Sequence, residues 1–459
     1  MLFSSLPSSV LLIAEKVAQL GGKAYLVGGS VRDILFGESP KDFDIEVYGL
    51  APEVLQKMLQ SDFSILTVGK HFAVFKVKGE AIDVSLPRRE STTGPRHRDF
   101  SVRGDPKMSL REAAQRRDFT INAMLWDISG KQLEDPLKRG EKDLKNRVLH
   151  RCSEAFGEDP LRVLRAMQFI ARFDLEVTSE TRVACLSLTQ NFLPKERIWE
   201  EWKKLILRGK SLSKGLSFLR SVNWLRFYPD LGALVHCPQN LVSQLEEDVW
   251  SHTLHCLDAY AKERVGCQEE DLVVGFAVLC HDFGKALSTG KAVKSGIPWS
   301  QHHILGEAPS RRFLNAMTGD RNFIDAVIRL VIHHGQPSLL YHNHCGEATI
   351  RRLASKVKRI DRLLRVVKAD QLGRPLLSRK SCPEVLWWQK KTDEMKIYDQ
   401  PPKSIVRGRH LIGLGALPGK HFSLILEACW EAQMEGEITD LASGIGFVKK
   451  RFKMYLGKP

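Results

Sequence analysis

The rhythm of hydrophobic and polar positions changes near residue 150. Before it, short apolar runs and alternating stretches predict strands; beyond it, apolar residues recur at helical spacing over long segments. Residues 7–20 (PSSVLLIAEKVAQL) are amphipathic and predict a helix, as do 52–60. Residues 25–27 (YLV) read as a short buried strand, which Gly28, Gly29 and Ser30 break before a helix opens at 31–35. Residues 41–47 alternate, so Asp42 and Asp44 share one face while Phe43, Ile45 and Val47 take the other. Strands are also expected at 72–77 and 80–86, the second putting Asp83 opposite the face of Ile82, Val84 and Leu86. Residues 88–111 are polar, basic and punctuated by glycine and proline, the composition of a mobile loop. Helices are expected at 161–173, 195–208, through the apolar run before His281, at 421–435 and in the basic last segment; 376–404 reads as a spacer helix and a linker. There is no internal repeat or low-complexity tract.

Composition adds a partner class. With 459 residues there is length for two to four domains, and 43% hydrophobic residues indicate a globular chain. The 69 Lys and Arg against 54 Asp and Glu leave a net charge of +15, which favours a polyanion, nucleic acid first. Nine dispersed cysteines without a C-x-x-C pair exclude a zinc ribbon and suggest reduced thiols. With neither a signal-peptide pattern nor a run of transmembrane length, a soluble cytoplasmic protein without membrane association is expected.

The chemistry concentrates in a few constellations. Gly28, Gly29 and Ser30 allow close approach of a phosphate to a helix start. Asp42 and Asp44, side by side on one strand face, repel unless a cation sits between them, and hard oxygen ligands suit Mg²⁺ with a triphosphate. Asp83 is a candidate third carboxylate, to bind metal or draw a proton from an attacking hydroxyl. Asp159, Arg162 and Arg165 fall at i, i+3 and i+6 along one face. An Asp only accepts and an Arg only donates. Asp159 with Arg162 thus complements the amine and ring nitrogen shared by cytosine and adenine, and leaves unpaired groups against uracil and guanine. Farther on, His252, the adjacent His281 and Asp282 after an apolar helix, and Asp370 supply imidazole and carboxylate ligands for a divalent transition or borderline metal. His302, His303, His333 and His334 lie between, with His303 and His333 as candidates for contacting metal or phosphate.

GGSVRDILFGESPKDFD at 28–44, RRDFTINA at 116–123 and Glu158, Asp159 and Arg162 in an E-D-x-x-R pattern resemble the class II tRNA nucleotidyltransferase and bacterial poly(A) polymerase family. His252, His281, Asp282 and Asp370 resemble the H…HD…D pattern of HD phosphohydrolases. The closest likeness is to CCA-adding members with a fused HD domain. It implies an α+β protein: a small mixed-sheet head (1–150), then an all-helical neck with RNA-binding surface (151–235), HD domain (236–375) and tail (376–459). It also implies Mg²⁺-dependent addition of CMP and AMP from CTP and ATP to the 3′ end of tRNA. Asp42 and Asp44 would hold the metal; Gly28, Gly29, Ser30, Arg32, Arg116, Arg117 and Asp118 would serve the nucleotide; and Asp159 and Arg162, with Arg165, would read the base. Ni²⁺ is one candidate for the HD metal. Asp83 stands where some relatives carry Glu. The full-length 88–111 segment argues against a C-only enzyme. A poly(A) polymerase, a partial A- or C-adding enzyme, and an HD phosphohydrolase with an RNA-binding head remain alternatives.

Overall fold

The computed structural model describes residue 3 and residues 6–68, 74–92, 100–238, 248–288, 302–374 and 382–456. The chain divides into two compact units, 1–227 and 228–459.

The first unit is built on alternation. Strands β1 (Lys23–Val27), β2 (Phe43–Tyr48), β3 (Ile65–Val68), β4 (Val74–Val77) and β5 (Ile82–Ser85) join a later pair in one sheet. A short hairpin, β6 (Arg88–Thr92) and β7 (Phe100–Gly104), stands apart as its own two-stranded sheet. The later pair is β8 (Leu125–Asp127) and β9 (Gln132–Glu134), giving the order β3-β4-β5-β2-β1-β8-β9. Only β2 and β5 run parallel; the other neighbours are antiparallel. Ala24 and Leu26 of β1, Ile45 and Val47 of β2, and Ile82 and Val84 of β5 face the main core. There they meet Val10, Ile13 and Val17 of the helix Ser8–Gln19 and Leu55 and Leu59 of the helix Pro52–Asp62. Period-two side-chain alternation then sends Asp44, Glu46 and Asp83 to the opposite face. On that face Tyr25, Val27, Tyr48 and Leu125 pack with Leu110 and Ala113 of the helix Leu110–Gln115.

Three expectations change. Pairing of β2 begins when the Phe43 N–H bonds the Ala81 carbonyl, so exposed Asp42 sits one residue ahead of the strand. Residues 88–92 and 100–104 are a paired hairpin rather than a loop throughout, although 93–99 lie outside the described residues. The neck is not purely helical: Val148–Leu149 pairs in parallel with Glu176–Val177. Of the strand expected at 72–77, residues 72 and 73 lie outside the described residues, as do 376–381 of the expected spacer.

After the head, the helix Leu161–Phe173 packs against Lys195–Arg208 and Leu212–Ser221. The second unit is helical where described. Its centre is Gln268–Cys280, buried without interruption from Val273 to Cys280 and packed against Val249–Lys262, Arg321–His333 and Ile360–Leu372. Glu270 is gripped by Arg359 and Arg362 at 2.7–3.0 Å, tying two of these helices together. A smaller core at the end of the chain unites Val406, Leu411, Ile425, Cys429 and Val448. Among the described residues, no helix is long and apolar enough to cross a membrane.

Candidate active site and a second candidate metal site

In the first unit, three carboxylates converge. Asp44 and Asp83 are register partners across the parallel pair β2 and β5. Burial, then the charges of Asp42 and Asp83, push the Asp44 carboxyl up to about 6. Such crowding of acids is relieved by a cation, and the donors are all hard oxygens. Asp83 is held by Lys76, its register partner on β4. A Cβ at Gly28 would stand 3.8 Å from Asp44 Oδ2 and 3.3 Å from Arg117 Nη1, so the glycine turn lies over the acids. Arg117 also faces Glu46 at 3.4 Å. Ser30 is turned inward, its hydroxyl donating to the Val27 carbonyl.

Arg32 is buried, and all three guanidinium nitrogens are engaged within the protein. Nε and Nη2 donate to Asp33 and Nη1 donates to Asn122 at 2.7 Å. Its guanidinium also lies over the rings of Phe169 and Phe173 at 4.8 and 4.9 Å. Asp118 is a hub: it accepts from the Phe119 N–H, the Asn122 amide and Arg165 Nε. Burial opposes its charge, but Arg165 and Asn122 hold the carboxyl below its ordinary value.

The consecutive pair Arg116 and Arg117 links this region to the Glu158–Arg165 stretch. Arg117 faces Gly28 and Glu46, while Arg116 lies 3.6 Å from Glu158 and its carbonyl accepts from Arg162 at 2.6 Å. The helix begins at Leu161, so Asp159 lies in extended backbone ahead of it. The helical spacing from Asp159 to Arg162 therefore does not set their geometry. Asp159 accepts from the Leu161 N–H at 3.1 Å, initiating the helix, and pairs with Arg197 at 2.7 Å. Arg162 also donates to the Ala155 carbonyl.

In the second unit, Asp282 is the centre. It follows the buried helix, and its Oδ2 lies 3.1 Å from His281 Nε2, 3.7 Å from His252 Nε2 and 2.7 Å from Lys285 Nζ. Its Oδ1 lies 3.5 and 3.9 Å from Nε2 of His302 and His334. His252 Nε2 is also 3.0 Å from Asp370. Two ligands of one zinc-like ion stand roughly 3.3 Å apart, given bonds of about 2.0–2.2 Å. The nitrogens of His281 and His334 are set alike: each Nδ1 is 2.7 Å from the carbonyl three residues back, leaving Nε2 to face Asp282. His281 Nε2 and Asp282 Oδ1 are buried without a hydrogen-bond partner, which a metal would satisfy. Burial, then His281 and His302, depress the His334 imidazole to about 3, keeping it neutral. Burial works against the Asp282 charge, yet His281 and Lys285 hold it well below the carboxylate range. Gly284 permits the assembly: a Cβ there would fall 1.8 Å from the His302 carbonyl oxygen. Of each histidine pair, His302 and His334 join the cluster; His303 and His333 belong to no metal-ligating group among the described residues.

Residues 24–150 match the family described as the poly(A) polymerase head domain. The multifunctional CCA protein of Xylella fastidiosa (strain 9a5c) is 35% identical over 364 residues, covering 77% of this chain and 84% of that one. The protein of the same description from Laribacter hongkongensis is 31% identical over 374 residues, 79% and 88% of the two chains. The chain belongs to the multifunctional CCA protein family. A Bacillus stearothermophilus CCA-adding enzyme in complex with CTP shares the fold at a TM-score of 0.62, 24% identity and 97% and 98% coverage. So does a Thermotoga maritima CCA-adding enzyme complexed with tRNA, at 0.60, 18%, 98% and 97%. As a member of that family the chain is a nucleotidyltransferase, and the family works with a divalent metal.

Several residues of this family member escaped the sequence patterns. Lys76 pairs with Asp83 and Arg197 with Asp159. Lys285 and Cys256 line the Asp282 pocket, and of the histidine pairs read from the sequence His302 and His334, not His303 and His333, reach it. Alternation on β4 could have placed Lys76 toward Asp83. No local spacing points to Arg197, which is 38 residues from its partner.

Proposed function

We propose that the chain adds CMP, CMP and AMP, from CTP and ATP, to the 3′ end of tRNA. The observation that carries this is the Asp44 and Asp83 pairing beside Asp42 under the glycine turn, in a chain of this family. Asp42 and Asp44 would hold Mg²⁺, which would supply charge neutralisation for the triphosphate. Asp83, freed from Lys76, takes the proton of the attacking 3′-hydroxyl. Gly28 and Gly29 keep the turn open for phosphate, Ser30 and Arg32 brace it from within, and Arg116 and Arg117 bind the nucleotide. Asp118 holds Arg165 beside the base reader, and Arg197 orients Asp159, which with Arg162 selects amino-bearing bases.

The test is a product-length assay on tRNA ending before CCA. Three added residues, with CMP preceding AMP, are expected. Long A tracts without CMP would favour a poly(A) polymerase, and incorporation of A alone or C alone a partial enzyme.

The buried cluster of the second unit favours an additional activity, phosphoester hydrolysis at an HD site. His252, His281, Asp282 and Asp370 would hold a divalent transition metal, with Ni²⁺ among the candidates, and His302 and His334 offer donors for a second ion. Such a metal supplies an activated water. Lys285 and the helix-end carbonyls orient the ligands. Release of phosphate from a nucleoside monophosphate, or opening of a cyclic phosphate to its monoester, abolished by Asp282→Ala, tests it.

A further inference from the structure

We propose that Cys256 is a thiolate ligand of the metal at the Asp282 pocket, making that site selective for soft or borderline ions over Mg²⁺. The proposal rests on the reading of this pocket as a metal site. Cys256 lies one helical turn beyond His252 on Val249–Lys262, so both side chains leave the same face. Its Sγ stands 3.4 Å from His252 Nε2, and one donor atom each from His252, Cys256, His281 and Asp370 falls within 4.8 Å of the others. The sulfur is buried, and the nearest helix end is fitted around it: a Cβ at Gly373 would lie 2.4 Å from Sγ. His281 Nε2, fully buried and without a hydrogen-bond partner, points independently to a ligand in the same space.

Charge favours the assignment. Asp282 is already offset by Lys285 and Asp370 by Arg374 at 3.1 Å, so a dication held by these acids and neutral imidazoles leaves uncompensated positive charge in a buried space. As the sulfur–metal bond forms, the thiol proton leaves to solvent, and the thiolate offsets one of those charges. Thiolate favours Zn²⁺, Co²⁺ and Ni²⁺ and is a poor ligand for Mg²⁺. The chain would thus keep its two metals apart by ligand softness: hard oxygens at Asp42 and Asp44, sulfur and nitrogen here.

The experiment adds Co²⁺ to the full-length metal-free protein and records its absorption, for wild type, Cys256→Ser and Cys256→Val, with thermal melts showing that each is folded. The expected result is a near-ultraviolet sulfur-to-cobalt charge-transfer band in wild type that is missing in both variants. The visible cobalt bands persist in the variants, with Co²⁺ affinity lower by about tenfold or more. Visible cobalt bands in wild type without the charge-transfer band, or that band surviving in Cys256→Val, would overturn the proposal and leave the histidine–carboxylate site standing. Absence of any bound-cobalt spectrum in wild type would instead overturn the metal-site reading itself, and this proposal with it.

Discussion

Asp44 is the residue at which structure and chemistry are most tightly bound. Its carboxyl is held at about 6 by burial and by Asp42 and Asp83, above the ordinary 3.8. The folded metal-free chain therefore keeps that proton more tightly than the unfolded chain. The stability involved is present below about pH 4 and is lost as pH rises through about 6. Melting temperatures of the metal-free protein should fall between these limits, and Asp44→Asn should remove that slope while abolishing nucleotide transfer. Because metal competes with the proton, affinity for the divalent ion should fall about tenfold per pH unit below that value. A melting curve flat in pH for wild type would contradict the crowding of acids. Arg32 offers a second test at this scale. With its guanidinium bonded to Asp33 and Asn122 and stacked on two phenylalanines, Arg32→Ala should cost about 3 kcal/mol of stability in denaturant unfolding. An unchanged stability with only a raised KM for nucleotide would move Arg32 from bracing the turn to touching substrate. Asp159→Ala should relax discrimination against UTP and GTP by about tenfold to a hundredfold, read from relative kcat/KM.

The elements explain which of these features could be read in advance. Asp44 and Asp83 were legible because a strand offers only two faces, and the apolar partners Ile45, Val47, Ile82 and Val84 must take the core; Asp42, one residue ahead of the strand, was legible as a neighbouring acid but not in the face it takes. The helix Leu161–Phe173 was legible from its period, but its start was not. Pro160 and the Asp159 side chain cap it, so Asp159 points by its own turn and not by helical phase. The hairpin of β6 and β7 was hidden because its stretch has the polar, basic composition of a loop, whereas the register that makes it a hairpin is set by backbone pairing. His302 and His303 differ by a hundred degrees of helical phase, and only the packing of that helix against Gly284 decides which meets Asp282. Gly284→Ala should therefore displace His302 and weaken metal binding at the Asp282 pocket, measurable by calorimetric titration, while nucleotide transfer persists. The clamp between the helices of Glu270 and of Arg359 and Arg362 carries its own pH signature. The two arginines, against a smaller burial penalty, lower Glu270 to about 2. Its stabilisation is present above about pH 4.5 and is lost as pH falls toward about 2. With solvent screening it amounts to about 1 kcal/mol, so Glu270→Gln should cost that at neutral pH and nothing at the acid limit.

For the whole molecule, the two candidate sites lie in two separately packed units, and a net charge of +15 suits a polyanionic substrate. Affinity for tRNA should fall by at least about tenfold between roughly 50 and 200 mM salt, as counterion release requires. A salt-independent affinity would mean that the excess charge serves solubility alone. The central claim is that the acids of β2 and β5 perform nucleotide transfer. The most direct measurement is incorporation of labelled CTP and ATP into tRNA ending before CCA, by wild type, Asp44→Ala and Asp282→Ala. Asp44→Ala is expected to lose transfer by about a thousandfold or more while Asp282→Ala retains it. Incorporation that survives Asp44→Ala, or that disappears with Asp282→Ala in a folded chain, would contradict the account.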